Sequence, residues 1–394
     1  MLVIKNARVL SKGKLTKKNI IVEGSRIKKV SNSLTARKNI IDVKGKIVLP
    51  GLIDPHVHMR EPGFEYKEDF FSGSKAAAAG GITTFLDMPN NRPPITSVAA
   101  LNVKRNLATK SIVNYGFHFG TDGDNIGEIQ QAWKSNIASV KIFMDESTGK
   151  MTVTDHKKIK QVFENSKAVA VHAEGKNVET AMAIAKSTGT MLYLCHLSSR
   201  EEMAMLHRHK MRNVFAEATP HHLFLTSADA NQYNTMKPFL KPKDDQNALW
   251  EAIKKGLIHT IGTDHAPHTA PEKELGTVYG VPGLETVLPL MLDAVNKKKI
   301  SLDRLVELTS ENPARIFKIK GRGRIEKGYF ADLTVIDMDM EKEVQNSKLF
   351  TKCAWSPFNG WKLKGWPVMT IVNGQVVHDN GEIHHIMSEE VTFG

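Results

Sequence analysis

The sequence predicts an α/β protein, a TIM-type (β/α)8 barrel carrying a small composite β-sandwich domain built from both chain ends. Three observations predict it. Strand-like and helix-like patterns alternate through roughly 270 central residues, the length and rhythm of such a barrel. The two flanking stretches are β-rich. Residues able to bind a metal stand at the ends of apolar runs, where barrel strands deliver functional side chains.

Residues 1–49 hold short β-type runs: Leu2-Val-Ile, Asn19-Ile-Ile-Val-Glu, Arg26-Ile-Lys-Lys-Val, Asn39-Ile-Ile-Asp-Val and Lys46-Ile-Val-Leu. Gly13, Gly24 and Gly45 punctuate them, as in a hairpin-rich sheet. From Pro50 the texture changes. Apolar runs ending Leu86-Asp87, Phe143-Met144, Val171-His172, Cys195-His196, Glu217-Ala218 and Thr263-Asp264 read as strands. Helix candidates at 125–135, 155–165, 176–187, 199–208 and 245–255 lie between them. Gly321-Arg-Gly-Arg-Ile-Glu-Lys-Gly lacks the spacing of a dinucleotide loop and reads as a turn into a strand. After it the pattern is β again, with a turn at Asn373-Gly374. The expected division is 1–49 with 325–394 as the sandwich and 50–324 as the barrel.

Composition excludes several classes. Hydrophobic residues are 41% and charged residues 24%, an ordinary globular balance rather than disorder. No run approaches the roughly 18 apolar residues of a membrane span. The first residues read as a strand rather than a signal peptide, so a cytoplasmic protein is expected. The net charge of +12 is uneven: residues 1–49 carry 13 Lys and Arg against Glu23 and Asp42, while 325–394 carry 6 Lys against 10 acids. No basic face interleaved with aromatics marks a nucleic-acid partner. Opposite signs at the two ends would suit ends that pack together, and the basic segment could equally be a solvated surface, or dock another copy or a pathway enzyme. Cys195 and Cys353 cannot form a disulfide framework. Cys195 reads as a packed, reduced thiol, pointing to the opposite strand face from His196.

His56-Val57-His58 ends an apolar run, and positions i and i+2 of a strand face the same way. That motif alone is weak. His172, His196 and Asp264 each end a further apolar run, and in a barrel those ends converge. Lys141 lies within Ser139-Val-Lys-Ile-Phe-Met, where burying a charged lysine is costly. It either faces solvent or an acid, or is a neutral amine that captures CO2 as a bridging carbamate. Four histidines, a carbamate and an aspartate suit two divalent cations, zinc above all.

Pro50-Gly-Leu-Ile-Asp-Pro-His-Val-His-Met-Arg-Glu-Pro-Gly63 resembles the opening metal motif of the dihydroorotases, within the amidohydrolase superfamily of cyclic amidohydrolases. The resemblance continues through Lys67-Glu-Asp-Phe, Ala76-Ala-Ala-Ala-Gly-Gly-Ile-Thr-Thr, Asp87-Met-Pro-Asn90 and Glu217-Ala-Thr-Pro-His-His-Leu-Phe-Leu. Thr263-Asp-His-Ala-Pro-His-Thr, Gly283-Leu-Glu-Thr286, Asn312-Pro-Ala-Arg-Ile-Phe and Gly328-Tyr-Phe-Ala-Asp-Leu complete it, in family order along nearly the whole chain. It implies metal ligation by His56, His58, Lys141 (N6-carboxylated), His172, His196 and Asp264. It also implies that Arg60, Asn90 and His268 hold the carboxylate of a small anionic substrate. Two departures stand out. Met236-Lys-Pro-Phe-Leu-Lys replaces an Asn-Pro-Pro-Leu-Arg segment, which leaves the role of Lys237 open, and Asp145 lies where some members use an aspartate in place of the lysine. For His221 and His222, supporting or packing roles are expected rather than ligation.

The implied reaction is the reversible, metal-dependent cyclisation of N-carbamoyl-L-aspartate to L-dihydroorotate in pyrimidine biosynthesis, with Asp264 as general base and then acid. Allantoinases and hydantoinases share the metal motif but act on neutral rings, so Arg60 with Asn90 favours the dihydroorotases. A non-catalytic scaffold relative would be expected to have lost ligands that this chain retains.

Overall fold

The structure is a computed structural model that describes residues 1–11, 13–33, 39–146 and 151–394. Lys12, Arg37 and Lys38 of the basic amino-terminal stretch lie outside the described residues.

Eight parallel strands form the barrel: β1 (Leu52–Val57), β2 (Ile82–Asp87), β3 (Asn114–Gly120), β4 (Ser139–Phe143), β5 (Ala168–His172), β6 (Met191–Leu194), β7 (Val214–Ala218) and β8 (Thr260–Ile261). They pair in sequence order. The barrel is closed by a parallel bridge between Val57 and His265, beyond the short β8. Asp54 ties that seam, accepting from the backbone N–H of Thr263 and His56 and from the Thr263 hydroxyl. The barrel strands are buried almost throughout, as helices on the outer face require. Helices Ile126–Ala132, His156–Glu164, Lys176–Thr188, Arg200–Arg208 and Lys243–Lys254 occupy the stretches whose periodicity predicts them. Strand β3 is absent from the runs that the sequence marks. Its residues Asn114-Tyr-Gly-Phe-His-Phe-Gly look unlike a core strand, yet His118 is buried, bonded to Ser139 Oγ and to the carbonyl of Pro55.

Strands from both chain ends make one nine-stranded accessory sheet. Its order runs Glu382–Ile383, Gln375–Asp379, Lys362–Val372, Leu333–Glu343, Ile47–Pro50, Leu2–Ser11, Lys14–Glu23 and Arg26–Ser31, with Ile40–Asp42 also beside Leu2–Ser11. The two ends meet where Ile47–Pro50 pairs antiparallel with Leu333–Glu343. One ion pair among the described residues, Lys46 with Asp337, joins the two charged ends. Main-chain pairing and a core including Ile4, Val22, Val48, Leu333 and Ile371 therefore hold the ends together more than their opposite charge does. Asn373 and Gly374 both have positive φ, as a two-residue hairpin turn demands.

The apolar run from Lys46 to Asp54, one stretch in the sequence, is shared between the two sheets. It breaks at Gly51, where a Cβ would lie 2.2 Å from Thr83 Oγ1, so only glycine lets the chain cross so close to β2. The last residues leave the accessory sheet. Glu389 and Val391 bond to the backbone of Tyr115, and Val391 packs with Ile53, Tyr193 and Phe317. The tail thus covers apolar side chains at the amino-terminal side of the barrel, opposite the site.

Candidate functional site

The carboxyl ends of β1, β5 and β6 and the segment after β8 bring four histidines and Asp264 together. His56, in β1, and His58, just beyond it, both address one oxygen of Asp264, at 3.2 and 3.0 Å from their Nε2 atoms. Val57 between them is fully buried in the main core, the alternation that a strand imposes. His172 Nδ1 and His196 Nε2 face each other at 2.9 Å, and the His196 ring lies 5.3 Å from that of His56. Lys141, on β4, is fully buried. It has no carboxylate within ion-pair distance among the described residues, and its Nζ lies 2.9 Å from Cys195 Sγ. A lysine facing solvent or an acid is therefore not what the structure contains.

The donor set fits a divalent cation. His56, His58 and Asp264 present ligand atoms within 4.8 Å of one another. Nε2 of His172 and Nδ1 of His196 are buried without a hydrogen-bond partner among the described residues. Burial, with Lys141 adding to it, pushes His172 down to about 3, and burial takes His58 to about 4, so both rings keep a lone pair at neutral pH. Burial would raise the Asp264 carboxyl, but His56, His58 and His196 hold it well below the usual carboxylate range. Burial likewise opposes charge on His56, yet Glu217 and Asp264 on either side raise it well above an ordinary imidazole. Three non-glycine residues here have positive φ: Arg60 at 65°, His196 at 36° and Asp264 at 46°. Such strain collects where function fixes the backbone.

Arg60 is buried rather than a surface arginine. Its Nε donates to the Pro267 carbonyl at 3.0 Å and its Nη2 lies 3.0 Å from His268 Nε2. Burial lowers its guanidinium to about 10, which leaves it charged at neutral pH. His268 is held neutral by burial and by Arg60 and Lys67, with Lys67 Nζ 3.0 Å from its Nδ1. Asn90 meets the site from the side of the histidine–aspartate cluster, its Oδ1 2.6 Å from His58 Nδ1.

The remaining residues have other tasks. Asp145 accepts from the Glu174 N–H and the Asn177 amide, which binds two loops together. His222 bridges the Thr219 hydroxyl and the Pro238 carbonyl, while the His221 ring lies tilted beside it, with its Nε2 unpartnered among the described residues. Lys237 lies over the Phe239 and Tyr279 rings, 3.3 Å from Glu146.

Cys195 is a free, buried thiol, as expected, but it does not point away from His196. Strand β6 ends at Leu194 and the chain turns through the positive φ of His196, so both side chains reach the same cluster. Strand alternation no longer applies there. Sequence reasoning also gave no role to Glu217. Its Oε1 is 2.8 Å from His56 Nδ1 and accepts the His196 N–H, and its Oε2 accepts from the Tyr193 hydroxyl. Asp87 and Lys104 form a second buried pair at 2.7 Å, in which Asp87 accepts the Met59 N–H and Lys104 donates to the Met88 carbonyl and Asn91. The pair thereby braces the segments that carry Arg60 and Asn90. The one sequence signal for it was a lysine on the inner face of a helix.

Comparison with known proteins agrees with this architecture. The model of the amidohydrolase family matches residues 47–377, and the chain belongs to that family. It is a hydrolase of cyclic amides, with a barrel like those of its structural neighbours. Over 99% of both chains it is 35% identical to a curated dihydroorotase of Methanosphaera stadtmanae. It is 39% identical to that of Pyrococcus horikoshii, over 95% of this chain and 92% of the other. Among solved structures, an L-hydantoinase (dihydropyrimidinase) from Arthrobacter aurescens superposes with a TM-score of 0.95 at 29% identity, over 99% of each chain. Among the described residues, no helix is long and apolar enough to cross a membrane.

Proposed function

We propose that the chain is a dihydroorotase, acting in the cytoplasm on a small anionic substrate and interconverting N-carbamoyl-L-aspartate and L-dihydroorotate in pyrimidine biosynthesis. The observation that carries this reading is Arg60, a buried guanidinium beside His268 at the same mouth as the histidine–aspartate cluster. A neutral ring gives no reason to bury that charge, whereas a carboxylate does. The curated relatives named dihydroorotase support it further. The hydantoinase neighbours share the barrel and act on rings without that acid group, and Arg60 weighs against such a substrate here.

The proposed cofactor is a zinc pair, which His56, His58, His172, His196, Asp264 and a carboxylated Lys141 would hold. Bound divalent cations would supply acidity to water and polarise the ring carbonyl. The protein's own groups do the rest. Arg60 grips the substrate carboxylate and so sets the ring's orientation, with its Nε anchored on the Pro267 carbonyl and the His268 ring packed against it. Asn90 fixes the His58 ring and stands close enough to share in that orientation. In the hydrolytic direction Asp264 accepts the proton of the attacking water and delivers it to the leaving ring nitrogen, and synthesis retraces the path. The test is turnover of L-dihydroorotate beside allantoin and hydantoin, with metal analysis of the same sample. Hydrolysis of a neutral ring without turnover of dihydroorotate would overturn the reading.

A further inference from the structure

Lys67, which opens the Lys67-Glu-Asp-Phe motif, takes no part in the chemistry above. It is buried in the segment between strand β1 and the helix Phe70–Ala79, its Nζ 5.0 and 5.5 Å from the Phe64 and Tyr66 ring centroids. The same Nζ pairs with Glu272 at 2.8 Å, which favours the ammonium form, and lies 3.0 Å from Nδ1 of His268.

Three groups therefore meet the His268 ring, and they do not all want the same thing of it. Lys67 and Arg60 can only donate, the first to Nδ1 and the second to Nε2, each at 3.0 Å. The Tyr279 carbonyl, 3.0 Å from Nε2, can only accept. With its proton on Nε2 the ring donates to Tyr279 and accepts from Lys67, and Arg60 alone goes unanswered. With the proton on Nδ1 the ring answers Arg60 and fails the other two. An imidazolium answers Tyr279 only and faces two cations. The first form satisfies the most contacts. It leaves Nη2 of Arg60 against an N–H, donor to donor, and an anionic oxygen accepting from both is what that contact lacks.

We infer that Lys67 is a positioning residue: its donor fixes the His268 proton on Nε2, so that the Arg60 guanidinium keeps an N–H for the acid group of the substrate. The second half of this inference rests on the dihydroorotase reading. Without the lysine, the ring can move its proton to Nδ1, facing Glu272 Oε2 at 3.7 Å, and accept from Arg60 through Nε2. One prong of the guanidinium is then satisfied within the protein. The grip on the carboxylate weakens in ground state and transition state alike, so KM rises while kcat holds.

Nitrogen-15 NMR of the zinc-loaded protein with labelled histidine reads the tautomer, because bare and protonated ring nitrogens resonate far apart. A His268→Gln variant assigns the signal. Expected is the Nε2–H form in the parent, in Lys67→Arg, which keeps a donor-only cation, and in Glu272→Gln, which keeps the lysine without its acid. Lys67→Met should show Nδ1–H, with KM for L-dihydroorotate raised about tenfold and kcat within about threefold of the parent. Lys67→Arg should restore most of that KM. Nδ1–H in the parent overturns the inference, and that result needs no variant to fold. Lys67→Met overturns it too if it keeps Nε2–H, or if it switches tautomer at parental KM. A parent that fails to turn over dihydroorotate sinks the functional reading instead, and the tautomer in Lys67→Met still decides whether the lysine sets the ring.

Discussion

Replacing Glu217 by Gln tests whether the buried carboxylate behind His56 sets the metal affinity of the site. Glu217 accepts three hydrogen bonds, from His56 Nδ1 at 2.8 Å, the His196 N–H at 2.9 Å and the Tyr193 hydroxyl at 2.7 Å. Glutamine matches its shape, and its carbonyl can still accept from His56 and His196. The Tyr193 hydroxyl, 2.6 Å from Thr260 Oγ1, can turn to donate there and accept from the new amide. No buried group is stranded, so the fold should barely notice. What is lost is charge. A hydrogen bond to an ionised acceptor contributes about 1.5–3 kcal/mol against about 0.5–1.5 for a neutral one. The difference, about 1.5 kcal/mol, weakens metal binding by about tenfold, at the lower edge of the range typical for groups that orient metal-binding histidines. The assay is zinc competition against a chromophoric chelator, with the melting temperature of the metal-free protein as control. Zinc affinity within twofold of the parent, at unchanged melting temperature, would refute the reasoning.

Three further outcomes follow from the same geometry. Asp264→Asn should retain the fold while activity falls about 10²–10⁴-fold, checked by turnover alongside thermal melts, because the amide cannot shuttle the proton. Arg60→Lys should raise KM for dihydroorotate, since a point charge replaces a planar fork that also holds the Pro267 carbonyl and His268; steady-state kinetics read this directly. Lys104→Met strands the buried Asp87 carboxylate and should cost about 3–5 kcal/mol. Calorimetry should show a lower melting temperature, largely restored in the double variant Lys104→Met with Asp87→Asn.

How much of the site was legible follows from how far each inference had to reach. The end of a strand is a local event: an apolar run stops, and the residue that stops it emerges at the barrel mouth. His56, His58, His172, His196 and Asp264 could be picked out that way, one at a time. Strand β3 escaped because Gly116, His118 and Gly120 interrupt its apolar pattern, and their fit depends on neighbours such as Phe393, Leu86 and Met151. Cys195 was misdirected because alternation holds only while the strand lasts.

By itself the sequence determined the barrel rhythm, the β-rich ends and the kinds of ligand at the strand ends, since each of these repeats within a few residues. Only the tertiary structure decided what stands behind those ligands. Glu217 reaches His56 across 161 positions, Asp54 reaches Thr263 across 209, and Lys273 meets the carbonyls of Thr235 and Gly280 from two different segments. Such partnerships arise when the barrel closes and water leaves. A buried charge then needs whatever partner the folded chain brings near, and no local pattern records which one that is.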